Sequence, residues 1–243
     1  MNDRSFLISE FSSPKRVDIL QILVDGPISF TELSNKLDIS SSEVSRHLAR
    51  LTDQGFVKKH QTSRKFELAP LGELASLLFS PLDFVFSQAD YFRTHSVTDI
   101  PVSLIRDLDV LSTCEMVEGT GFAMLKLPEI INSVRSELRV MTSQPFPWGK
   151  PGLDVKYIVP PSMMQFKEQI VRMNRSTEAR ILPSISISII ITESGEGMLF
   201  FPDLEGKTDY DTGFYISKGN KTGQKFIERI WDYFWSTGDI PDS

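Results

Sequence analysis

Two identical helix-start signals stand eleven residues apart near the N-terminus: Ser29 with Glu32 three residues on, and Ser40 with Glu43. In each, the serine hydroxyl can accept the N–H three residues ahead while the glutamate reaches back to the serine N–H, so each pair fixes a first helical turn. Ile28 with Leu33, and Ile39 with Val44, hold the flanking apolar staple positions. The first helix therefore has room for about two turns, and Asp38-Ile39 must serve as the whole connection. Phe30, Leu33 and Leu37 supply the buried face of the first helix; Val44, Leu48 and Leu51 supply that of the second, which Gly55 stops. Two short capped helices joined by so little chain predict a helix-turn-helix. Upstream, Ser13 as cap and Pro14 as first residue open another helix, with Val17, Leu20, Leu23 and Val24 as its stripe and Gly26-Pro27 as its end.

The outward positions of the Ser40-capped helix are Ser41, Ser42, Ser45, Arg46, Ala49 and Arg50. Small residues at its start suit entry into a major groove, and guanidinium groups suit guanine edges or phosphates. Phe56–Gln61 and Arg64–Leu68, around Thr62-Ser63, read as a basic hairpin, a wing whose Lys58, Lys59, Arg64 and Lys65 would meet phosphates. Charge agrees with this reading. The chain is −6 overall, yet residues 1–70 are +1 and residues 42–66 are +4. A basic patch on an acidic protein is the footprint of a backbone contact with double-stranded DNA.

The run SFTELSNKLDISSSEVSRHLARLTDQGFVKK, with its phrase S-x-S-x-V-S-x-H-L-x-x-L-x-x-x-G-x-V, resembles the winged-helix domain of arsenic-repressor-like transcription regulators of bacteria and archaea. The resemblance implies a one-component regulator that binds an operator. It departs from the metal-sensing branch, whose second or third helix carries paired cysteines, because this stretch has none, so no thiolate metal site is expected.

Between Pro70 and Phe92 the apolar residues Leu71, Leu74, Ala75, Leu78, Leu82, Val85, Phe86, Ala89 and Phe92 keep a helical period across Pro81, as one kinked helix or two abutting ones. Such a helix serves either as a two-fold dimer contact or as packing for the wing. A polar break at 93–101 precedes a further helical pattern through Leu104, Ile105, Leu108 and Leu111. His95, with no acidic or histidine partner nearby in sequence, reads as a turn or surface residue. The organisation expected is a DNA-binding domain over 1–70, a helical linker and dimerisation region over 71–111, and an α/β domain over 112–243.

In that last stretch, strands are expected at 113–118, 138–143, 153–159, 179–182, 185–192, 197–201 and 212–217, with helices at 128–137, 162–173 and 222–236. The result is a mixed-sheet α/β domain, so the chain as a whole is α+β to α/β. The nearly unbroken β-branched run ISISIII marks the buried centre of the sheet. Chemistry is sparse here: there is no Gly-rich phosphate loop, no G-x-S-x-G and no HExxH, and His47, His60 and His95 all precede the domain. The expectation is a binding module without catalytic residues, cofactor or metal.

The layout resembles a phospholipase-D-like sensor domain lacking the H-x-K pair that enzymes of that fold need. The pieces H-x-x-x-x-I-P-x-x-L at His95, I-x-x-x-R-S-E-L-R-V-M-T-S at Ile131–Ser143 and ARILPSISISIIITE-SGEGMLFFPDLEG resemble the middle domain of archaeal methanogenesis regulators. That likeness implies sensing of a signal of undefined chemistry. Placed at the carboxyl ends of strands, Ser143, Trp148, Lys150, Arg135, Tyr157 and Arg180 are the candidates to clasp an aromatic or carboxylated effector by stacking and charge-assisted hydrogen bonds. The alternative is a proline-rich connection in which Phe146 and Trp148 plug the end of the core.

A single cysteine, Cys114, a polar start and no long apolar run point to a cytoplasmic protein that does not cross a membrane. The function expected is a homodimeric, sequence-specific transcription regulator with a small-molecule effector. The alternative is a winged-helix protein-docking module fused to a degenerate hydrolase-like domain.

Overall fold

The structure, a computed structural model, describes residues 4–119, 121–145, 151–166, 172 and 174–241. The chain divides into two compact units, Met1–Asp83 and Phe84–Ser243.

In the first unit, α1 (Arg4–Ser9) and a 3-10 turn (Glu10–Ser12) precede α2 (Pro14–Val24), α3 (Phe30–Leu37), α4 (Ser41–Asp53), β1 (Val57–Lys59) and β2 (Phe66–Leu68). The first helical segment has no counterpart in the sequence reading. The inward sets of α3 and α4 fall as their periodicity requires: Leu33, Val44 and Leu51 are fully buried, joined by Leu37 and Leu48, with Phe30 half-buried. In α2 Val17, Leu20 and Leu23 are buried as expected and Ile19 joins them, while Val24 is 59% exposed, so only the last member of the expected stripe lies off the buried face. Ser13 has the extended backbone of a cap, but its side chain makes no cap hydrogen bond. β1 and β2 pair antiparallel, Val57 with Leu68 and Lys59 with Phe66, a shorter hairpin than the residue pattern predicts.

The middle segment forms α5 (Pro70–Ser87), continuous through Pro81, followed by the short α6 (Ala89–Phe92). The division between units falls inside α5, not in the polar break at 93–101. The reason is packing on either side of it. Gly72 lies so close to the Phe56 carbonyl oxygen that a Cβ would sit 2.0 Å from it. Phe84, Tyr91, Ile100, Leu104, Leu108 and Leu111 belong instead to the core of the second unit. Much of the expected linker is thus domain core.

The second unit continues with α7 (Val102–Ile105), a 3-10 turn (Leu108–Thr113), β3 (Glu115–Glu118), α8 (Phe122–Ser133), β4 (Glu137–Met141), β5 (Asp154–Val159), a 3-10 turn (Pro161–Phe166), β6 (Ser176–Ile181), β7 (Ser188–Thr192), β8 (Gly197–Phe200), β9 (Thr212–Ile216) and α9 (Lys221–Thr237). Among the described residues one sheet runs β3-β9-β8-β7-β4-β5-β6. β4, β5 and β6 are parallel and the remaining pairs antiparallel, which makes the sheet mixed. β7, from the ISISIII run, is buried at every residue and lies in the middle of the order. Leu127, Ile130 and Val134 cover one face; Phe226, Ile227, Ile230 and Trp231 of α9 cover the other. α8 spans 122–133 in place of the expected 128–137, because the chain is already extended at Val134 in order to enter β4. The stretch expected as a helix from Ser162 is a 3-10 turn through Phe166, and residues 167–171 and 173 lie outside the described residues. Among the described residues no helix is long and apolar enough to cross a membrane.

Candidate nucleic-acid interface

Both capping boxes close as the sequence demands. The Ser29 N–H donates to Glu32 Oε2 at 3.0 Å, and the Glu32 N–H donates to Ser29 Oγ at 3.3 Å. The Ser40 N–H donates to Glu43 Oε2 at 3.2 Å, and the Glu43 N–H to Ser40 Oγ at 3.3 Å. These bonds, the serine hydroxyl foremost, hold both glutamates below their ordinary carboxylate range. Between the helices Asp38 adopts the left-handed conformation, φ 49° and ψ 46°, that turns the chain within two residues. Ser34 Oγ donates to the Ile39 carbonyl at 3.3 Å and pins that turn.

With its inner face buried, α4 presents Ser41, Ser42, Ser45 and Arg46 to solvent. His47 is half-buried, and burial pulls its imidazole below the ordinary value, with Arg46 adding to the effect. The hairpin exposes Lys59 and Arg64. Arg64 takes a positive φ of 56° at the turn, and Lys59 Nζ lies 5.7 Å from the Phe66 ring centroid.

Three of the predicted contacts are placed differently. Arg50 is exposed, but its Nε lies 2.8 and 2.9 Å from the two carboxylate oxygens of Glu10. Glu10, with no side-chain exposure, is also 2.9 Å from Arg16 Nε. Arg16 in turn donates to the Ser9 and Glu10 carbonyls, so one buried carboxylate ties the N-terminal turn to α2 and α4. Lys58 is exposed yet paired with Glu67 at 3.3 Å, and Lys65 is half-buried. Glu10 escaped the sequence reading because it stands 40 residues from Arg50 with no local signal.

Among the described residues, those expected to clasp an effector do not converge. Tyr157 is buried on the α8 face of the sheet, its hydroxyl 3.4 Å from Asn174 Nδ2. Arg180 pairs in register with Ile158, so strand alternation turns it to the α9 face, where its guanidinium stacks 4.6 Å above Trp235. Arg135 is exposed before β4 begins, and Ser143 follows the other end of that strand. Trp148 and Lys150 lie outside the described residues. His95 is likewise no surface residue: it is buried, stacks on Tyr91 at 4.0 Å, and places Nε2 2.9 Å from Asp209 Oδ2, 114 residues away. Among the described residues no group of His, Cys, Asp and Glu is arranged to hold a metal.

Residues 13–59 match the family described as bacterial regulatory protein, arsR family. This segment is an ArsR-type winged helix-turn-helix. Over 58 residues the chain is 34% identical to the transcriptional activator HlyU of Vibrio cholerae serotype O1, a stretch amounting to 24% of this chain and 54% of that protein. The chain thus spans about half the length of the curated relative it matches. Among solved structures, reduced HlyU from Vibrio cholerae N16961 is 28% identical, covering 32% of this chain and 85% of the other with a TM-score of 0.30. TrmBL2, described as an archaeal chromatin protein, is 14% identical over 99% of this chain and 100% of its own, with a TM-score of 0.39. The family match covers residues 13–59, and the fold of the second unit is read from its own sheet.

Proposed function

We propose that the chain is a cytoplasmic, homodimeric, sequence-specific transcription regulator whose second unit receives a small-molecule signal and performs no catalysis. The observation that carries the reading is the outer face of α4, where small serines at the helix start lead to an exposed Arg46 beside a wing with exposed Lys59 and Arg64. A helix with small residues at its tip fits a major groove, and flanking cations on a hairpin fit the phosphates beside it.

Support for dimerisation comes from α5, which leaves Leu74, Leu77 and Leu78 between 62% and 71% exposed, with Leu71 and Leu82 above 40%. A row of leucines at helical spacing on an open surface marks an association face, and a two-fold pair of winged helices matches a palindromic operator. The sensing role rests on the second unit having its own two-sided core, with the sequence resemblance to archaeal regulators behind it. For a non-catalytic unit, the support is the sequence itself, in which no histidine is followed two residues later by lysine.

Fluorescence anisotropy on DNA fragments from the chain's own promoter region tests the DNA half. Arg46→Ala should weaken binding to the preferred fragment by roughly 10- to 100-fold and relax its sequence preference. Unchanged affinity, or wild-type binding with no salt dependence, would instead favour the protein-docking alternative.

A further inference from the structure

The second unit contains a cavity that the effector reading from sequence did not locate. Its volume is about 320 Å³, at the small end of the roughly 300–1,000 Å³ typical of ligand clefts. Topology explains why it exists. β4, β5 and β6 run parallel, and the chain must return from β6, at the sheet edge, to β7, on the far side of β4. Leu182–Ile187 makes that return as a strap passing the carboxyl ends of β5 and β4, the place where open α/β sheets hold ligands. Beneath the strap lie Met141 at the end of β4 and Tyr233, Phe234 and Thr237 at the end of α9.

The lining has a clear chemical polarity. Leu182, Ile185, Ile187, Met141 and Phe234 make an apolar wall, and Tyr233 meets Phe234 edge-on at 5.2 Å between ring centroids. Among the described lining residues Asp99 is the one carboxylate, it is exposed, and the Ser186 hydroxyl donates to it. One such bond leaves most of a carboxylate's acceptor sites open. Among the described residues Asp99 forms no ion pair, and no Lys, Arg or His lines the cavity.

We infer that this cavity binds a small amphipathic ammonium compound, its apolar body under the strap against Met141 and Phe234 and its cationic head on Asp99 at the mouth. This deepens the sensing reading of the second unit by giving it a site and a ligand class. It replaces the aromatic or carboxylated effector expected from Trp148 and Arg180: a carboxylate would face Asp99 with no cation among the described lining residues to receive it.

Calorimetric titration of the full chain with three probes tests it: 2-phenylethylamine, its carboxylate counterpart 3-phenylpropionate, and methylamine. Phenylethylamine should bind, methylamine should lack the apolar body needed, and 3-phenylpropionate should be rejected. Asp99→Asn should weaken phenylethylamine roughly three- to tenfold, the range of an exposed charge-assisted contact. Ser184→Trp, a substitution at an exposed strap position, should block binding while the thermal unfolding midpoint stays within a few degrees of wild type. No binding of phenylethylamine, equal binding of 3-phenylpropionate, or indifference to both substitutions overturns the proposal. Binding that leaves DNA affinity unchanged upholds the site and defeats the sensing reading alone.

Discussion

Replacing Glu10 by glutamine removes a carboxylate shared by Arg16 and Arg50 while keeping its shape. Arg16 has 11% side-chain exposure and Glu10 none, whereas Arg50 retains 42%. Burial already holds the Arg16 guanidinium below its ordinary value, Glu10 opposes that shift, and Arg50 adds to it. Without the carboxylate the two guanidinium groups face each other, and Arg16 is a buried charge without its counter-ion. Breaking a buried pair from one side costs about 3–5 kcal/mol. Because Arg50 reaches water, its share is screened, and the lower end, about 3 kcal/mol, is the expected loss. For a unit of this size each kcal/mol moves the midpoint by roughly 4–8 °C, so the first unit should melt at least about 12 °C lower. Scanning calorimetry of the full chain reads this as a separated low-temperature transition. Arg50→Met should cost less, since it leaves the Arg16–Glu10 pair intact, and the double variant should fall short of the sum of the two. A shift under about 4 °C for Glu10→Gln would refute the reasoning, because the carboxylate would then be contributing under 1 kcal/mol.

Three further outcomes follow from the geometry. Asp154, bonded to Arg175 and Ser176, should titrate at about 2 by carboxyl-carbon NMR, and Arg175→Ala should return it toward 3.8. With the folded value depressed, its stabilisation is present above the unfolded value and fades as pH falls from about 4 to 2; a wild-type titration near 3.8 would contradict the bond network. If the chain is the dimer proposed, Leu74→Glu with Leu78→Glu should convert it into a folded monomer by light scattering, and an unchanged mass would remove α5 as the association face. Gly72→Ala should destabilise the first unit by about 1–3 kcal/mol by denaturant melt, because its Cβ would collide with the Phe56 backbone, and a neutral effect would show that α5 can shift freely.

What the sequence revealed and what it concealed divide along the range of the interactions. The capping boxes at Ser29 and Ser40 and the inward set Val44, Leu48 and Leu51 are decided within one or two turns, so reading along the chain finds them. The central place of β7 was legible for a related reason: a strand buried on both faces needs no alternation, and the consecutive Ile189, Ile190 and Ile191 have none. Partners from afar leave no local trace. His95 looked solitary because Asp209 lies 114 residues away, and Tyr157 and Arg180 looked like neighbours until strand register put them on opposite faces. The strap cavity was hidden for the same reason, since it depends on β6 lying at the edge and β7 at the centre, an order that no single strand encodes.

The same distinction governs the electrostatics of the surface proposed to face DNA. Counted along residues 42–66, six cations stand against two acids, and six phosphate contacts per protomer would be the natural estimate. Folding brings in acids that the count leaves out: Glu10 meets Arg50, and Glu67, just past the end of that stretch, meets Lys58. Arg46, Lys59, Arg64 and Lys65 remain to neutralise phosphates, and half-buried Lys65 has the shortest reach. At about 0.9 released counterions per contact, three or four contacts give a slope of log K against log salt near −3 to −4 per protomer, against −5 or steeper for six. The shallower slope should steepen by about one unit if Glu67→Gln frees Lys58, and it should stay put in Lys58→Met. A basic patch counted in sequence is therefore an upper limit on the charge offered to DNA, and the difference is set by acids that folding brings to it.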